Sequence, residues 1–383
     1  MTLRGVHLLP VTMLIGTFAW AFVFVSLPFH IQAISTVDEA TTLRWTGWIL
    51  GISSLVTVGT APVWAHYAAR GNPKAMYVVV ETLQGLAFFG MALARTLPEL
   101  FLARFVLGAM GAASTFAFII AGRASSSGAV RRQVAAVQSA MTVGQVIGPL
   151  AGAIAAARVG FRTSFVIGGL ILIGCATLVA WGVPSVPPVE RAREREGRTS
   201  LNEVLAVALI VLGGNMHVFF LVSILPQVLP TLGVDVTRTL EVGGVIIFAS
   251  GAAAALGAVV APRLSLYARE RTLIATLLVG SSVLVAALAL AESVWSFGVL
   301  RFFQVLAIAP VFPIVVARIA QRAGGQAIGI INSARIAAGF LGPVVATNVL
   351  AWTSPDVLYL LLGVVGVGCV PFATMRLGRT VPR

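Results

Sequence analysis

The chain has 383 residues, 58% of them hydrophobic and only 10% charged, with a mean hydropathy of +0.98. That composition excludes an ordinary water-soluble globular protein and indicates an integral membrane protein. A net charge of +13 raises nucleic acid as a partner, but the distribution of the basic residues argues for topology instead, and no nucleic-acid binding is expected.

Apolar stretches of about 20 residues, separated by short polar or Gly/Pro breaks, predict helices rather than a barrel, whose strands alternate over about ten residues. Twelve spans are predicted, at 9–33, 44–68, 75–95, 98–122, 134–158, 162–183, 203–231, 238–262, 271–292, 295–320, 325–351 and 355–376. The fold class is therefore all-α, integral to the membrane. The first span is longer than a signal-peptide core and is not followed by a cleavage site and soluble domain, so it reads as a retained helix.

Taken in chain order, the first span "GTFAWAFVFVSLPFHIQ" brings Trp20 and Phe24 and no acid. The loop after the second span carries Arg70 and Lys74. The third holds Glu81, the only carboxylate well inside a predicted span, with Gln84 one turn away. Ionisable groups inside a membrane are costly and mark pathways. Glu81 is thus a candidate proton carrier, with an ion pair or a side chain snorkelled to the inner face as the alternatives. The fourth and tenth spans hold Arg104 and Arg301, which either line a cavity or snorkel to the interface.

The fifth span contains "VGQVIGPLAG", where Gly144, Gly148 and Gly152 recur every fourth residue around Pro149. In water such a stretch marks a loop. In lipid, small residues on one face let helices approach closely, and neighbours satisfy backbone freed by proline. Gln138, Thr142 and Gln145 recur at i, i+4 and i+7 and share a face. The sixth and twelfth spans each hold one cysteine, Cys175 and Cys369, which read as apolar filler with neither a disulfide nor a metal site.

"PSVPPVERAREREGRTS" follows, and a cytoplasmic linker is expected over 184–202, between an N-terminal six-helix bundle (1–183) and a C-terminal one (203–383). The seventh span brings Asn215, His217 and Phe219. An imidazole suits pH sensing near neutrality, although a lone His in a helix is also a common satisfied structural residue. The eleventh carries Asn332, Arg335 and a second Gly-Pro pair, Gly342 and Pro343. Arg335 lines a cavity or anchors the cytoplasmic end. With both termini inside, Arg131, Arg132, Arg191, Arg193, Arg195, Arg198, Arg263, Arg269 and Arg271 fall on the inner side, which is the positive-inside pattern.

The halves repeat. "VQSAMTVGQVIGP" (137–149) lies over "INSARIAAGFLGP" (331–343) without gaps, so that Gln138 meets Asn332 and the Gly-Pro pairs coincide at an offset of 194 residues, which Cys175 and Cys369 share. Two such halves, a charged linker and Gly-Pro helices in the fifth and eleventh positions resemble the major facilitator superfamily, in particular the twelve-helix drug:proton antiporters of the bacterial multidrug exporter type. Their G-x-x-x-G-P-x-x-G-G motif is matched by Gly144, Gly148, Pro149 and Gly152, and their loop signature by Pro62, Trp64, Ala68, Arg70 and Lys74. Ala69 stands where that signature has an acid that helps lock the cytoplasmic gate.

The resemblance implies two pseudo-symmetric bundles that rock about a central site. The candidate cavity set is Trp20, Phe24, Arg104, Gln138, Thr142, Gln145, Asn215, Phe219, Asn332 and Arg335, with core or lipid packing as the alternative for the aromatics. Arg158, Asp235 and Glu241, on helices that neighbour one another in the superfamily, are candidates for an outer gate bridge. The expected function is export of small amphipathic compounds by proton antiport, from a monomer in the inner membrane with membrane lipid, a small-molecule substrate and protons as partners. An organic-anion, metabolite or lipid transporter without coupling is the alternative, and a non-transporting sensor is the third. No nucleotide-binding motif and no catalytic constellation is present, so neither an enzyme nor a cofactor is expected.

Overall fold

The structure, a computed structural model, describes residues 3–122, 127–185, 200–320 and 325–374. The charged part of the linker, residues 186–199, and the side chains of Ala69 and Arg70 lie outside the described residues, as does Arg123.

Twelve helices are long and apolar enough to cross a membrane: α1 Leu8–Ile34, α2 Glu39–Ala68, α3 Pro73–Leu93, α4 Leu97–Ala121, α5 Gly128–Val159, α6 Phe161–Gly182, α7 Leu201–Thr231, α8 Val236–Leu264, α9 Glu270–Leu290, α10 Val294–Ala317, α11 Gly329–Leu350 and α12 Pro355–Thr374. Each coincides with a predicted span to within a few residues. Most are joined by very short turns. Asn72 accepts from the N–H groups of Lys74 and Ala75, ahead of Pro73, and so starts α3. Thr96, Ser200 and Ser293 cap α4, α7 and α10 in the same manner. Gly160, at φ 83°, turns the chain from α5 into α6 in a single residue, a backbone conformation that favours glycine.

Several spans are interrupted, and the freed backbone is satisfied from neighbouring helices, as a membrane interior demands. In α4 the helix breaks between Ala109 and Ala113. Carbonyls at the break accept from neighbouring helices, that of Gly108 from Thr57 at 2.9 Å, that of Ala109 from Trp64 at 2.6 Å and that of Met110 from Gln84. Trp64, picked out in the sequence only as a motif residue, thus holds the break in α4. By contrast, α5 runs helical through Pro149 and α11 through Pro343.

The apolar cores show where the two halves meet. Two buried clusters on the side carrying the termini each stay within one half: Leu9, Tyr77 and Phe116 with their neighbours in the first, Val204, Ile274 and Val315 with theirs in the second. On the opposite side one cluster crosses between halves, joining Val25, Ala153 and Ala156 to Phe220, Leu225 and Leu229. The halves are therefore joined by a buried apolar cluster away from the termini and, among the described residues, by none on the side that carries them.

Candidate functional site

The glycine stripe of α5 does what its spacing predicts, and its partner is α1. A Cβ at Gly144 would stand 2.6 Å from the Leu14 carbonyl, one at Gly148 2.8 Å from that of Phe18, and one at Gly152 would run into that of Phe22. In the second half Gly342 meets α7 at Phe219 and Phe220, with more room, at 3.3 Å. Small residues at matching positions thus seat each Gly-Pro helix against the first helix of its own half.

The contact between halves uses a different face. On α11, Gly339, Phe340, Pro343 and Thr347 face α2, where Gly47, Gly51 and Ser54 receive them. Trp48 lies edge-on to Phe340 at 5.3 Å, and Arg44 sits over the Trp352 ring at 4.6 Å. On α5, Val146, Leu150 and Ala153 face Gly244 and Gly251 of α8. Continuing these helices toward the termini brings the polar candidates to the side where, among the described residues, each buried apolar cluster stays within one half. At 100° per residue, Gln138, Thr142 and Gln145 fall between the α1-facing and α8-facing stripes and opposite the exposed apolar Val143, Ile147 and Ile154. Asn332 and Arg335 fall between the α7-facing and α2-facing stripes of α11, two turns and one turn before Gly339 respectively. These five residues thus fall on the helix faces that lie between those stripes, with Gln138, Gln145 and Asn332 exposed.

Arg335 is half-buried, and its Nε and Nη2 both donate to Asn332 Oδ1, at 3.3 and 3.2 Å. Its guanidinium lies 5.5 Å from the centre of the Phe312 ring, which walls a small recess with Asn215, Val218 and Ile308. Asn215 donates to the Val211 carbonyl at 2.8 Å. Phe312 carried no signal in the sequence, because only the fold brings α10 beside α11.

Other candidates sit elsewhere. Arg104 is 3% exposed and neither snorkels nor joins those faces: it donates to the Ile49 and Leu50 carbonyls at 3.1 and 3.0 Å and to Ser53 at 2.6 Å, tying α4 to α2. Trp20 and Phe24 pack against the core of the first half, and Trp20 Nε1 donates to Gln84 at 2.6 Å. Phe219 packs against Gly342.

His217 is fully buried inside the second half. Its Nε2 lies 2.8 Å from the Leu362 carbonyl, which can only accept, so Nε2 carries the proton and Nδ1 accepts from Ser281 at 3.1 Å. Gln304 donates to Ser281 at 2.8 Å, and Arg301 donates to Gln304 and to the carbonyls of His217 and Val218. This network ties together α7, α9, α10 and α12.

Glu81 is 1% exposed, and its Oε2 has no hydrogen-bond partner. It faces α1, where a Cβ on Gly16 would stand 2.8 Å from Oε1. The same face of α3 carries Tyr77, whose hydroxyl reaches Thr12 and Met13, and Gln84, which takes the Trp20 N–H. A polar ladder at i, i+4 and i+7 thus runs along the α1–α3 seam, with Glu81 its one unpartnered rung.

The expected outer bridge is absent. Arg158 is exposed, and no ion pair links it to Asp235 or Glu241. The Thr237 hydroxyl and backbone N–H both bind Asp235 and hold its carboxyl below the ordinary carboxylate range. Small and aromatic residues make the closed side instead. Cys175 and Cys369 are buried and donate to carbonyls of α1 and α7, Thr12 and Leu209, as duplicated filler would.

Twelve spanning helices among the described residues define a multi-pass membrane protein. The Major Facilitator Superfamily profile matches residues 9–279, and the chain belongs to that superfamily, whose members are secondary transporters and not enzymes. It is 25% identical over 331 residues to the uncharacterized MFS-type transporter YuxJ of Bacillus subtilis, covering 83% of each chain. It is 24% identical over 327 residues to the multidrug resistance protein MdtG of Citrobacter koseri, covering 82% of this chain and 79% of the relative. Among solved structures, the nucleoside transporter NupG superposes with a TM-score of 0.76 at 11% identity, over 98% of this chain and all of the other.

Proposed function

We propose that the protein exports small amphipathic compounds across the inner membrane by alternating access, exchanging them for protons, with Glu81 as the proton carrier. The observation that carries the coupling is the unpartnered Glu81 carboxyl on the α1–α3 seam. An ionised carboxyl without partners is costly among apolar groups. Uptake and release of its proton are therefore tied to any movement of α1 that changes its surroundings, and α1 is the helix on which the Gly-Pro helix α5 is seated. His217 is the weaker carrier, since both ring nitrogens are committed to hydrogen bonds. The likeness to MdtG supports efflux. The basic residues that flank the linker side support cytoplasmic termini, and a monomer is the working unit.

The test is proton movement in proteoliposomes under an imposed pH gradient, with cationic, neutral and anionic amphiphiles added in turn. Solute-triggered proton flux in wild type, kept in His217→Gln and lost in Glu81→Gln, is the expected result. Solute that crosses while the gradient stays untouched refutes the coupling. That outcome establishes the second reading, an uncoupled carrier, which is favoured by the absence of any carboxylate on α5 and α11 among the described residues.

A further inference from the structure

Arg104, Arg301 and Arg335 lie more than five residues from either end of their spans, and the first two are bound up inside the protein. Arg104 and Arg301 are buried, and their guanidinium groups are bound to backbone carbonyls and uncharged side chains of neighbouring helices. Arg335 differs. It is only half-buried, and among the described residues its one hydrogen-bond acceptor is a neutral amide oxygen shared by two of its N–H groups, whereas the donor that Arg301 leaves unpaired, Nε, is shut inside the protein. A guanidinium offers five donors in a planar fork that fits carboxylate, sulfonate or phosphate oxygens. In the other half α5 presents Gln138, Thr142 and Gln145, which are polar but uncharged.

The surroundings of Arg335 are also shaped. Asn332 fixes one edge of the guanidinium and Phe312 lies beneath its face, so the open edge points away from both. A cation held over an aromatic ring is attracted to its face, which steadies the guanidinium. Phe312 also lines a recess of about 40 Å³ with Val211, Val218 and Ile308, where Asn215 supplies the polar edge. A fixed positive group beside an apolar recess is complementary to a molecule with one anionic group and a compact apolar body.

We infer that this end of α11 is a binding subsite for anionic amphiphiles: Arg335, steadied by Asn332 and Phe312, takes the anionic group, and the apolar rim around Phe312, Val218 and Ile308 borders the rest of the ligand. This deepens the transport reading and rests on it only for the ligand's onward passage. Binding is a property of the chain without any gradient and is tested that way.

The experiment is calorimetric titration of the full chain in phosphatidylcholine nanodiscs with three probes of one shape: phenylbutyrate, phenylbutylamine and phenylbutanol. Phenylbutyrate is expected to bind about tenfold more tightly than the other two, from one charge-assisted contact. Arg335→Gln is expected to erase that preference. Asn332→Asp, which leaves the arginine in place and supplies an internal counter-ion, is expected to erase it as well, so the outcome does not hang on one variant folding. Repeating the titration with phosphatidylglycerol in the disc separates the sources of the anion. Loss of phenylbutyrate binding there identifies a lipid headgroup as the occupant, and retention identifies a soluble solute. Equal affinity for the three probes, or a preference for phenylbutyrate that survives both substitutions, overturns the inference. Proton coupling can fail in liposomes while this preference holds, and the converse, so the two claims fall separately.

Discussion

At the scale of single residues, the buried charges and the imidazole divide into those that hold helices together and those left free to act. Arg104 gives hydrogen bonds to three acceptors on α2. Each such charge-assisted bond contributes about 1.5–3 kcal/mol. Arg104→Met is therefore expected to lower the thermal midpoint in detergent sharply, while Arg104→Lys, which keeps one donor near the same carbonyls, loses less. His217→Leu breaks the chain of donors from Arg301 to Leu362 and is expected to destabilise the second half by about 2–4 kcal/mol. His217→Gln, which can still donate, is expected to fold and to keep proton flux. The sequence locates each of these residues at membrane depth, which is as far as a hydropathy pattern reaches. It cannot say whether a given face meets a carbonyl, a carboxylate or water, because that depends on which helix stands opposite. Glu81 was recognisable as the lone intramembrane acid, but its seat against Gly16 was not, since the glycine lies 65 residues earlier and carries no motif.

At the scale of helices, the duplicated Gly-Pro stretch was legible as a close-packing face, and its partner was not. The two copies are not equivalent. At an offset of 194 residues, Gly144 and Gly152 of α5 correspond to Ala338 and Ala346 of α11, so the second copy already accommodates methyl groups where the first has none. The packing agrees, with backbone carbonyls of α1 closing on α5 and a looser fit of α7 on α11. Gly152→Ala is expected to cost about 3 kcal/mol or more by forcing α5 away from Phe22, whereas Gly342→Ala, with its nearest atom at 3.3 Å, is expected to cost less than about 1 kcal/mol. Comparing thermal midpoints of the two variants checks this; equal losses would contradict the asymmetry. Gly16→Ala brings a methyl group 2.8 Å from Glu81 Oε1 and is expected to disturb proton flux more than it disturbs folding.

At the scale of the whole molecule, the twelve spans and the division into halves follow from composition, spacing and the internal repeat. What periodicity leaves open is which side is shut, since that depends on contacts between residues some 200–300 positions apart in the chain. The closed side here is built from Gly47, Gly51 and Ser54 against Gly339, Phe340 and Thr347, not from the ion pair expected at Arg158. Small residues on both helices let α2 and α11 meet face to face, and such a seam opens without breaking charged pairs. The Gly-Pro helices, seated on α1 and α7, then carry their polar residues with their own halves.

The central claim is that these halves part and rejoin during transport, and a reversible lock tests it most directly. Paired substitution Gly51→Cys with Phe340→Cys places two thiols across the α2–α11 seam, where an added Cβ on position 51 stands 3.1 Å from the Cα of residue 340. Oxidation of this variant in proteoliposomes is expected to stop solute flux, and reduction to restore it, while wild type, with Cys175 and Cys369 both buried, is unaffected. Full transport by the oxidised, cross-linked protein would contradict the account.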